Sequence, residues 1–356
     1  MIISRELTAK ENLKPLFEDP LKLPFGRHFT DHMFCMDHSG SGWQNPRIQP
    51  YQPLVLQPSA NVFHYSQEVF EGQKAYRSKN NEILLFRPAE NARRLNRSLQ
   101  RLCMPEIPEE MFLEAESELL KIEERWVPGQ KGASLYIRPT VIGTEAALGI
   151  KASSEYLFFI ILSPVGPYFK EGFNPVSLWV SDTYSRAGNG GTGEAKTGGN
   201  YAGSLLATRE AMQKGYSQVL WLDAGEHRYV EEVGAMNIFF VMNGKLVTPA
   251  LGGTILHGIT RKSVLELAPE LGLAVEERRI AIDEVIDGIQ SGKLTEIFGA
   301  GTAAVISPVG KIAFQGSDHV INGNQAGPWS QKFFSTLTGI QYGEIKDKHG
   351  WVFKVR

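Results

Sequence analysis

A glycine-dense run from Ala187 to Leu205, AGNGGTGEAKTGGNYAGSL, constrains this chain more than any other stretch. Glycine has no Cβ, so its backbone can approach a ligand closely, and repeated glycines disfavour a regular helix or strand. The run therefore predicts a backbone-lined binding loop around Lys196. Three kinds of site have such a composition: a dinucleotide loop, a phosphate-cradling loop and a lysine that forms a Schiff base with an aromatic cofactor.

The residue order of the run fits neither a dinucleotide loop nor a phosphate-cradling loop well. Gly188, Gly190 and Gly193 match G-x-G-x-x-G, but that loop should join a strand directly to a helix, and the strand predicted at Val176–Ser181 ends too early. A phosphate loop needs glycine before its lysine, where Ala195 stands. A Schiff-base lysine must be held by a well-packed backbone, must reach a carbonyl carbon and must be deprotonated when it attacks, and small residues around Lys196 leave room for an aromatic cofactor. Composition alone leaves open a surface lysine in a mobile loop.

Bulk properties exclude several classes of protein. The 356 residues suggest two domains, and 37 basic against 39 acidic residues give a net charge of -2, which predicts neither a nucleic-acid partner nor an acidic polymer. Cys35 and Cys103 are too few for a disulfide framework and form no zinc pattern, so we expect a cytoplasmic protein without a metal site. The longest apolar run, Tyr156–Leu162, is too short to cross a membrane.

Local patterns predict strand-rich segments with interspersed helices, an α+β fold. Apolar residues at three- and four-residue spacing predict a helix over Ala89–Arg101. Asn243-Gly244 between two apolar segments predicts a type I' hairpin, and Asn61–Glu68 is expected to be extended. We expect a small N-terminal domain over residues 1–169, a linker over 170–175 and a larger domain over 176–356.

Eight motifs in order resemble those of branched-chain aminotransferases, which are pyridoxal-5'-phosphate (PLP) enzymes of fold type IV. They span roughly Phe25 to Tyr342: FEGQKAY (70–76), LFRPAENARRLNRSLQRLCMP (85–105), SLYIRPTVIGTEAALG (134–149), SPVGPYF (163–169), EAKTGGNYAGSL (194–205), EEVGAMNIFF (231–240), LHGITRKSVLELA (256–268) and FGAGTAAVISPV (298–309). The resemblance implies a two-domain α+β fold, with a small α/β domain and a larger domain built on a pseudo-barrel.

The resemblance also implies the residues that bind PLP. Lys196 would carry the cofactor and then move a proton between the substrate Cα and the cofactor. Glu232 would pair with the pyridine nitrogen, although Glu231-Glu232 alone would be interpreted as a solvated acidic pair. Arg94 is similar to the phosphate-binding arginine of the family. The remaining contacts are Tyr201 with the phenolic oxygen, and Ile259, Thr260 and Thr302 with the phosphate.

The implied reaction transfers an amino group from leucine, isoleucine or valine to 2-oxoglutarate. Aromatic residues at pocket positions of the family are Phe25, Phe70, Tyr136 and Tyr168. Residues that resemble the substrate-carboxylate region are Tyr65, Arg138, Thr302 and Ala303. Because parts of that region come from a neighbouring subunit in the family, the resemblance implies a homodimer with sites near the subunit interface.

Three departures from the family pattern have expected consequences. Ala304 and Ser307 stand where some members have a redox-active CxxC, so we expect that thiol switch to be absent. Ala235 stands where some members have threonine, so we expect a change in local hydrogen bonding near the substrate. Thr197 stands where many members have a cysteine or other small residue, and we expect no effect. The alternatives that stay open are another fold-type IV enzyme, such as a D-amino acid aminotransferase or aminodeoxychorismate lyase, and a nicotinamide-dependent oxidoreductase.

Overall fold

The computed structural model describes residues 1–168 and 173–355, which form two compact units. The first unit contains the described residues of Met1–Tyr168, Ala195–Gly198 and Gly339–Arg356, and the second those of Phe169–Glu194 and Gly199–Thr338. The α-helices are α1 Asn61–Tyr65, α2 Pro88–Arg101, α3 Glu109–Ile122, α4 Gly198–Ala202, α5 Leu205–Gln213, α6 Ile259–Glu270, α7 Ile282–Gln290 and α8 Pro328–Gln341.

The strands divide between two sheets, one in each unit. Those of the first unit are β1 Ser4–Arg5, β2 His32–Ser39, β3 Gly42–Pro50, β4 Glu68–Phe70, β5 Gln73–Arg77, β6 Ile83–Phe86, β7 Ser134–Gly143, β8 Tyr156–Val165 and β18 Val352–Lys354. Those of the second unit are β9 Val176–Val180, β10 Gln218–Leu222, β11 Val230–Val233, β12 Met236–Met242, β13 Lys245–Thr248, β14 Ala274–Glu277, β15 Leu294–Gly301, β16 Val305–Phe314 and β17 Ser317–Val320.

The first unit is a sheet with helices packed against it. Its strand order is β1-β3-β2-β8-β7-β5-β6-β18, with β4 paired to β7. Helix α2 buries Ala92, Leu95 and Leu99, which recur at three- and four-residue spacing and therefore share one side of the helix. They pack in one core with Phe112 of α3 and Phe158 of β8. This core supports the strands that carry the Tyr136 side chain and the residues around it.

The second unit closes a six-stranded barrel. Strand β11 pairs with both β10 and β12, so the order β11-β10-β9-β16-β15-β12 returns to its start and leaves those strands without a free edge. The core holds fully buried side chains such as Leu178, Ile238, Phe240 and Ile312. Strands β13 and β14 extend the sheet beside β12.

The structure confirms the secondary-structure predictions that rest on strong periodic or turn patterns. One prediction is wrong at a segment where tertiary contacts compete with local backbone preference. The helix predicted over Ala89–Arg101 is α2, and Asn243 and Gly244 have the positive φ angles of 51° and 72° that a type I' turn needs. The extended segment predicted over Asn61–Glu68 is instead α1 followed by β4. There the Asn61 side chain donates to the Ala147 carbonyl over 3.2 Å, a long-range bond that attaches the first residue of α1 to a distant loop.

The units also differ from the domains expected from sequence, because parts of 176–356 belong with the first unit. Val352 pairs with Phe86, and the Tyr342 ring packs 4.9 Å from that of Tyr76, which joins the C-terminal segment to the first sheet. Of the predicted linker 170–175, residues 170–172 lie outside the described residues. None of the described helices has the length and apolar composition that a membrane crossing needs.

Candidate active site

The Lys196 segment is attached to β4 by a single antiparallel bridge and flanking backbone hydrogen bonds. Thr197 forms an antiparallel bridge with Val69, and the Phe70 N–H donates to the Lys196 carbonyl over 3.0 Å. On the other side, the Lys196 N–H donates to the buried Ser98 Oγ over 2.9 Å. Both backbone groups of Lys196 are therefore bonded within the first unit. This argues against the surface lysine in a mobile loop that composition alone left open.

The Lys196 side chain lies beside an aromatic cluster that also holds an arginine. Its Nζ is 4.7 Å from the centre of the Phe70 ring, and the guanidinium carbon of Arg138 is 4.6 Å from the same ring. Arg138 Nη2 donates to the Tyr136 hydroxyl over 2.9 Å. Tyr136 and Arg138 are two residues apart on β7, so their side chains project from the same face of the sheet.

Two more of the predicted pocket residues join this cluster, and one lies in a different setting. The Phe25 ring is 4.8 Å from the Tyr136 ring and 5.7 Å from the Tyr168 ring. Tyr65, in α1, is 38% exposed and its hydroxyl donates to the Leu148 carbonyl. The fold thus gathers Phe25, Phe70, Tyr136, Arg138 and Tyr168 around Lys196, while Tyr65 remains on the surface.

Gly72 and Lys74 belong to the same face, and the sequence did not single them out. A Cβ on Gly72 would lie only 2.1 Å from the Tyr136 hydroxyl, so only glycine leaves room for that tyrosine. Lys74 pairs with Tyr136 across β5 and β7, so the two side chains share a face. Burial lowers the pKa of Lys74 to about 8. A motif of the form GxK on a strand is the signal that could have indicated this second lysine.

Arg94 is buried and held by a carboxylate that sequence reasoning missed. Its Nε donates to Glu71 Oε1 over 2.7 Å and its Nη2 to Glu71 Oε2 over 2.8 Å. Glu71 is fully buried and also accepts from the Asn91 amide over 2.8 Å. Burial alone would raise the pKa of Glu71, but the Arg94 charge and hydrogen bonds lower it below its ordinary value. Glu71 therefore orients the guanidinium as a charged, bidentate partner.

Glu232 lies on β11 in the second unit, where it is buried rather than solvated. Its Oε1 accepts from Asn237 Nδ2 and from the Leu256 N–H, each over 3.0 Å. Its Oε2 lies 2.7 Å from Arg186 Nε, which is an ion contact without the alignment of a hydrogen bond. Arg186 Nη2 donates to the Gly193 carbonyl over 2.9 Å, which fixes the arginine to the glycine-dense run. Arg186 and Asn237 were not found from the sequence.

The predicted phosphate contacts of the second unit lie at a helix start and in a turn. Ile259 and Thr260 are the first two residues of α6, where backbone N–H groups have no partner within the helix. A Cβ on Gly258, the residue before them, would lie 1.9 Å from Asn237 Oδ1, so Asn237 links Glu232 to this helix start. The Thr302 and Ala303 pair lies in the turn between β15 and β16.

Two other predictions concern the glycine-dense run itself. Tyr201 lies in α4, half-buried, and its carbonyl accepts from the Ser204 N–H over 3.1 Å. Strand β9 ends at Val180 and α4 begins at Gly198, so Gly188 does not lie in a tight turn between a strand and a helix. The geometry required for a dinucleotide or phosphate loop is missing from residues 180–198, all of which are described.

Three comparisons with known proteins bear on the family of the chain. The family model for amino-transferase class IV matches residues 68–312. The chain is 54% identical over 356 residues to "Branched-chain-amino-acid transaminase 1" of Bacillus subtilis (strain 168), covering 99% of each chain. It resembles the solved branched-chain aminotransferase of Thermoproteus uzoniensis with norvaline, with TM-score 0.76, 27% identity and coverage of 91% of this chain and 100% of that one.

A second solved structure bears on the cofactor. The branched-chain amino acid aminotransferase of Thermobaculum terrenum in its PLP form matches with TM-score 0.73 and 25% identity over 91% of this chain and 98% of that one. The family match covers more than half of the residues, and the relatives are matched over nearly their full length. The chain therefore belongs to the class IV aminotransferase family.

Proposed function

We propose that the chain catalyses the reversible, PLP-dependent transfer of an amino group from L-leucine, L-isoleucine or L-valine to 2-oxoglutarate. The observation that carries the proposal is the Lys196 segment, whose backbone is fixed on both sides and whose amine lies beside Phe70 and the Arg138–Tyr136 pair. The near-full-length identity to a branched-chain transaminase supports the choice of substrate class.

The donor set suits each part of PLP. A primary amine, Lys196, would bind the aldehyde carbon. Arg94, with the backbone of Ile259 and Thr260 at a helix start and the Thr302 hydroxyl, would hold the phosphate. Glu232, a buried carboxylate beside Arg186, would bind the pyridine nitrogen, and Tyr201 the phenolic oxygen. PLP, when bound, supplies an electron sink for charge at the substrate Cα and carries the amino group between two half-reactions.

The residues of the chain then do the remaining work. Lys196 Nζ would be the base and acid that moves the proton at Cα, because its amine lies beside the aromatic cluster and would be next to the cofactor that it binds. Phe70 would provide an apolar wall beside the amine, and Phe25, which contacts Tyr136, would extend that wall for a branched side chain. Arg138, braced by the Tyr136 hydroxyl, offers a guanidinium for a substrate carboxylate.

We also propose that the protein works as a homodimer in the cytoplasm. The support for a dimer is a set of exposed apolar side chains in the first unit: Val55 is 98% exposed, Phe63 61%, Leu148 63% and Ile150 90%. Burying such side chains against a second copy would stabilise both. Sedimentation velocity on the purified protein tests this, and a monomer at micromolar concentration would contradict it. Cys35 and Cys103 are free thiols, which suits a reducing compartment.

The visible absorption spectrum before and after substrate addition tests the catalytic proposal. We expect a yellow protein whose band bleaches with L-leucine and not with D-leucine. Bleaching with D-leucine alone would indicate a D-amino acid aminotransferase, and a yellow protein unresponsive to both would favour a lyase. A protein that stays colourless after incubation with PLP would overturn the proposal.

A further inference from the structure

Glu68 stands next to the Lys196 segment and makes contacts that no role assigned above requires. It is the first residue of β4 and is half-buried. Its Oε2 accepts from the Gly198 N–H over 2.8 Å, and its backbone carbonyl accepts from the Thr197 hydroxyl over 2.7 Å. One residue therefore binds both positions that follow Lys196. Thr197, which was expected to have no effect, is part of this attachment.

The backbone at Gly198 is shaped for this carboxylate. A Cβ at Gly198 would lie 2.4 Å from Glu68 Oε2, far inside van der Waals contact, so a side chain there would displace the carboxylate. With the bonds at Phe70 and Ser98, the Glu68 contact fixes residues 196–198 at successive backbone groups. A Schiff-base lysine needs such a fixed backbone because small displacements misplace its amine.

The charge of Glu68 also acts on the catalytic cluster. Burial raises the pKa of Glu68, opposed by the Gly198 hydrogen bond and by attraction to Arg138 and Lys196. Glu68 and Lys196 therefore attract each other as opposite charges. Nearby charged groups of the first unit include Arg138 on β7 and Lys74 on β5, which pairs with Tyr136. Glu71, after β4, is also near and is itself paired with Arg94 of α2.

We infer that Glu68 is a positioning residue for Lys196, which fixes the lysine segment through the Gly198 N–H and stabilises positive charge on the lysine nitrogen. This inference rests on the proposed function only for its second part, since the attachment of the segment exists without PLP. It names a residue outside the set that would contact PLP or substrate. Its two parts are separable, because Gln keeps the acceptor oxygen while Asp keeps the charge.

The effect of the Glu68 charge on the lysine nitrogen is tested by a pH titration of the PLP-loaded protein, followed by visible absorption. The colour change reports protonation of the nitrogen that joins Lys196 to PLP. We expect Glu68→Gln to lower the pH midpoint by about half to one unit, since Glu71 remains and solvent screens a half-buried carboxylate. Glu82→Gln, the same change at an acid paired with Lys354, is the control and should leave the midpoint in place. A midpoint for Glu68→Gln within 0.2 units, on the order of the measurement error, overturns this part.

The attachment is tested by amide hydrogen exchange of the peptide that covers residues 195–198. Glu68→Asp, whose carboxylate is one methylene shorter, should exchange roughly fivefold faster at Gly198, the effect of losing one hydrogen bond. Glu68→Gln should match the wild type, because its amide oxygen still accepts. Equal exchange in wild type and Glu68→Asp overturns the attachment.

Failure of the proposed function gives a different pattern. If borohydride reduction leaves no PLP on Lys196 of the wild type, the proposed function is wrong, and the exchange comparison still decides the attachment. In that case the effect of the Glu68 charge on Lys196 is measured from the pH dependence of Lys196 labelling by an amine-reactive reagent in the same variants. A lower labelling midpoint in Glu68→Gln supports that part, and an unchanged midpoint overturns it.

Discussion

The ion contact between Arg186 and Glu232 offers the sharpest test of how the second unit is built. Both side chains are more than nine-tenths buried, and their charged atoms are 2.7 Å apart. Removing one partner of such a pair leaves a buried, uncompensated charge and costs about 3–5 kcal/mol of stability. Arg186→Met should therefore destabilise the protein by that amount, unless Glu232 takes up a proton and reduces the loss.

Arg186→Met is one arm of a double-mutant cycle, and Glu232→Gln is the other. Glu232→Gln removes the charge but keeps an oxygen that accepts from Asn237 and Leu256. It leaves Arg186 buried without its counter-charge and should also cost several kcal/mol, about 3 or more. The double variant removes both charges together. We expect it to be more stable than the sum of the two single losses predicts, by about 1–3 kcal/mol.

Urea denaturation of the cofactor-free protein, followed by circular dichroism, measures these free energies without a contribution from PLP binding. Arg186→Lys is the matched control: it keeps a positive charge but loses the guanidinium bond to the Gly193 carbonyl, so it should fall between wild type and Arg186→Met. Additive losses, with the double variant equal to the sum within about 0.5 kcal/mol, would refute the pairing argument.

Three further predictions concern the first unit. Lys196→Ala should abolish transamination, measured as 2-oxo acid formation from L-leucine, while the far-ultraviolet circular dichroism stays that of the wild type; substantial turnover would contradict its role. Gly72→Ala should displace the Tyr136 ring and raise the KM for 2-oxoglutarate more than it lowers kcat, whereas unchanged kinetics would mean that the tyrosine moves without effect. Lys74 has a pKa of about 8 in the folded protein against an ordinary value of 10.5. Below pH 8 Lys74 is protonated in both the folded and the unfolded protein, and its buried charge destabilises the fold. Stability rises between pH 8 and 10.5, because the folded protein loses this proton first. Lys74→Met should therefore increase the free energy of unfolding at pH 7 by up to about 3 kcal/mol, an advantage that disappears above pH 10; an advantage independent of pH would show that Lys74 is not a buried charge.

The candidate site contains two kinds of residue: those that a sequence motif predicts, and those that lie near them only in the folded structure. Lys196 and Glu232 could be selected from the sequence because their chemistry depends on side-chain type within a recognisable motif. The residues that hold them could not be selected, since Ser98 binds the Lys196 N–H across 98 residues and Glu68 binds the Gly198 N–H across 130. Arg186 and Asn237 were likewise missed. Arg186 lies outside the family motifs, and Asn237, although it lies inside EEVGAMNIFF, is not identified by its position as a partner of Glu232.

By itself, the sequence determined the local elements with strong periodic or turn signals, the family, and the side-chain types that PLP chemistry needs. Backbone propensity and motif spelling are local properties, so α2 and the Asn243-Gly244 turn could be predicted from a few neighbouring residues. Only the tertiary structure decided that Asn61 starts a helix, that β9 pairs with the distant β16 in the barrel and that the Lys196 segment joins the first unit. The physical reason is that each depends on hydrogen bonds between groups far apart in sequence, which no local pattern encodes and which exist only when the chain has folded.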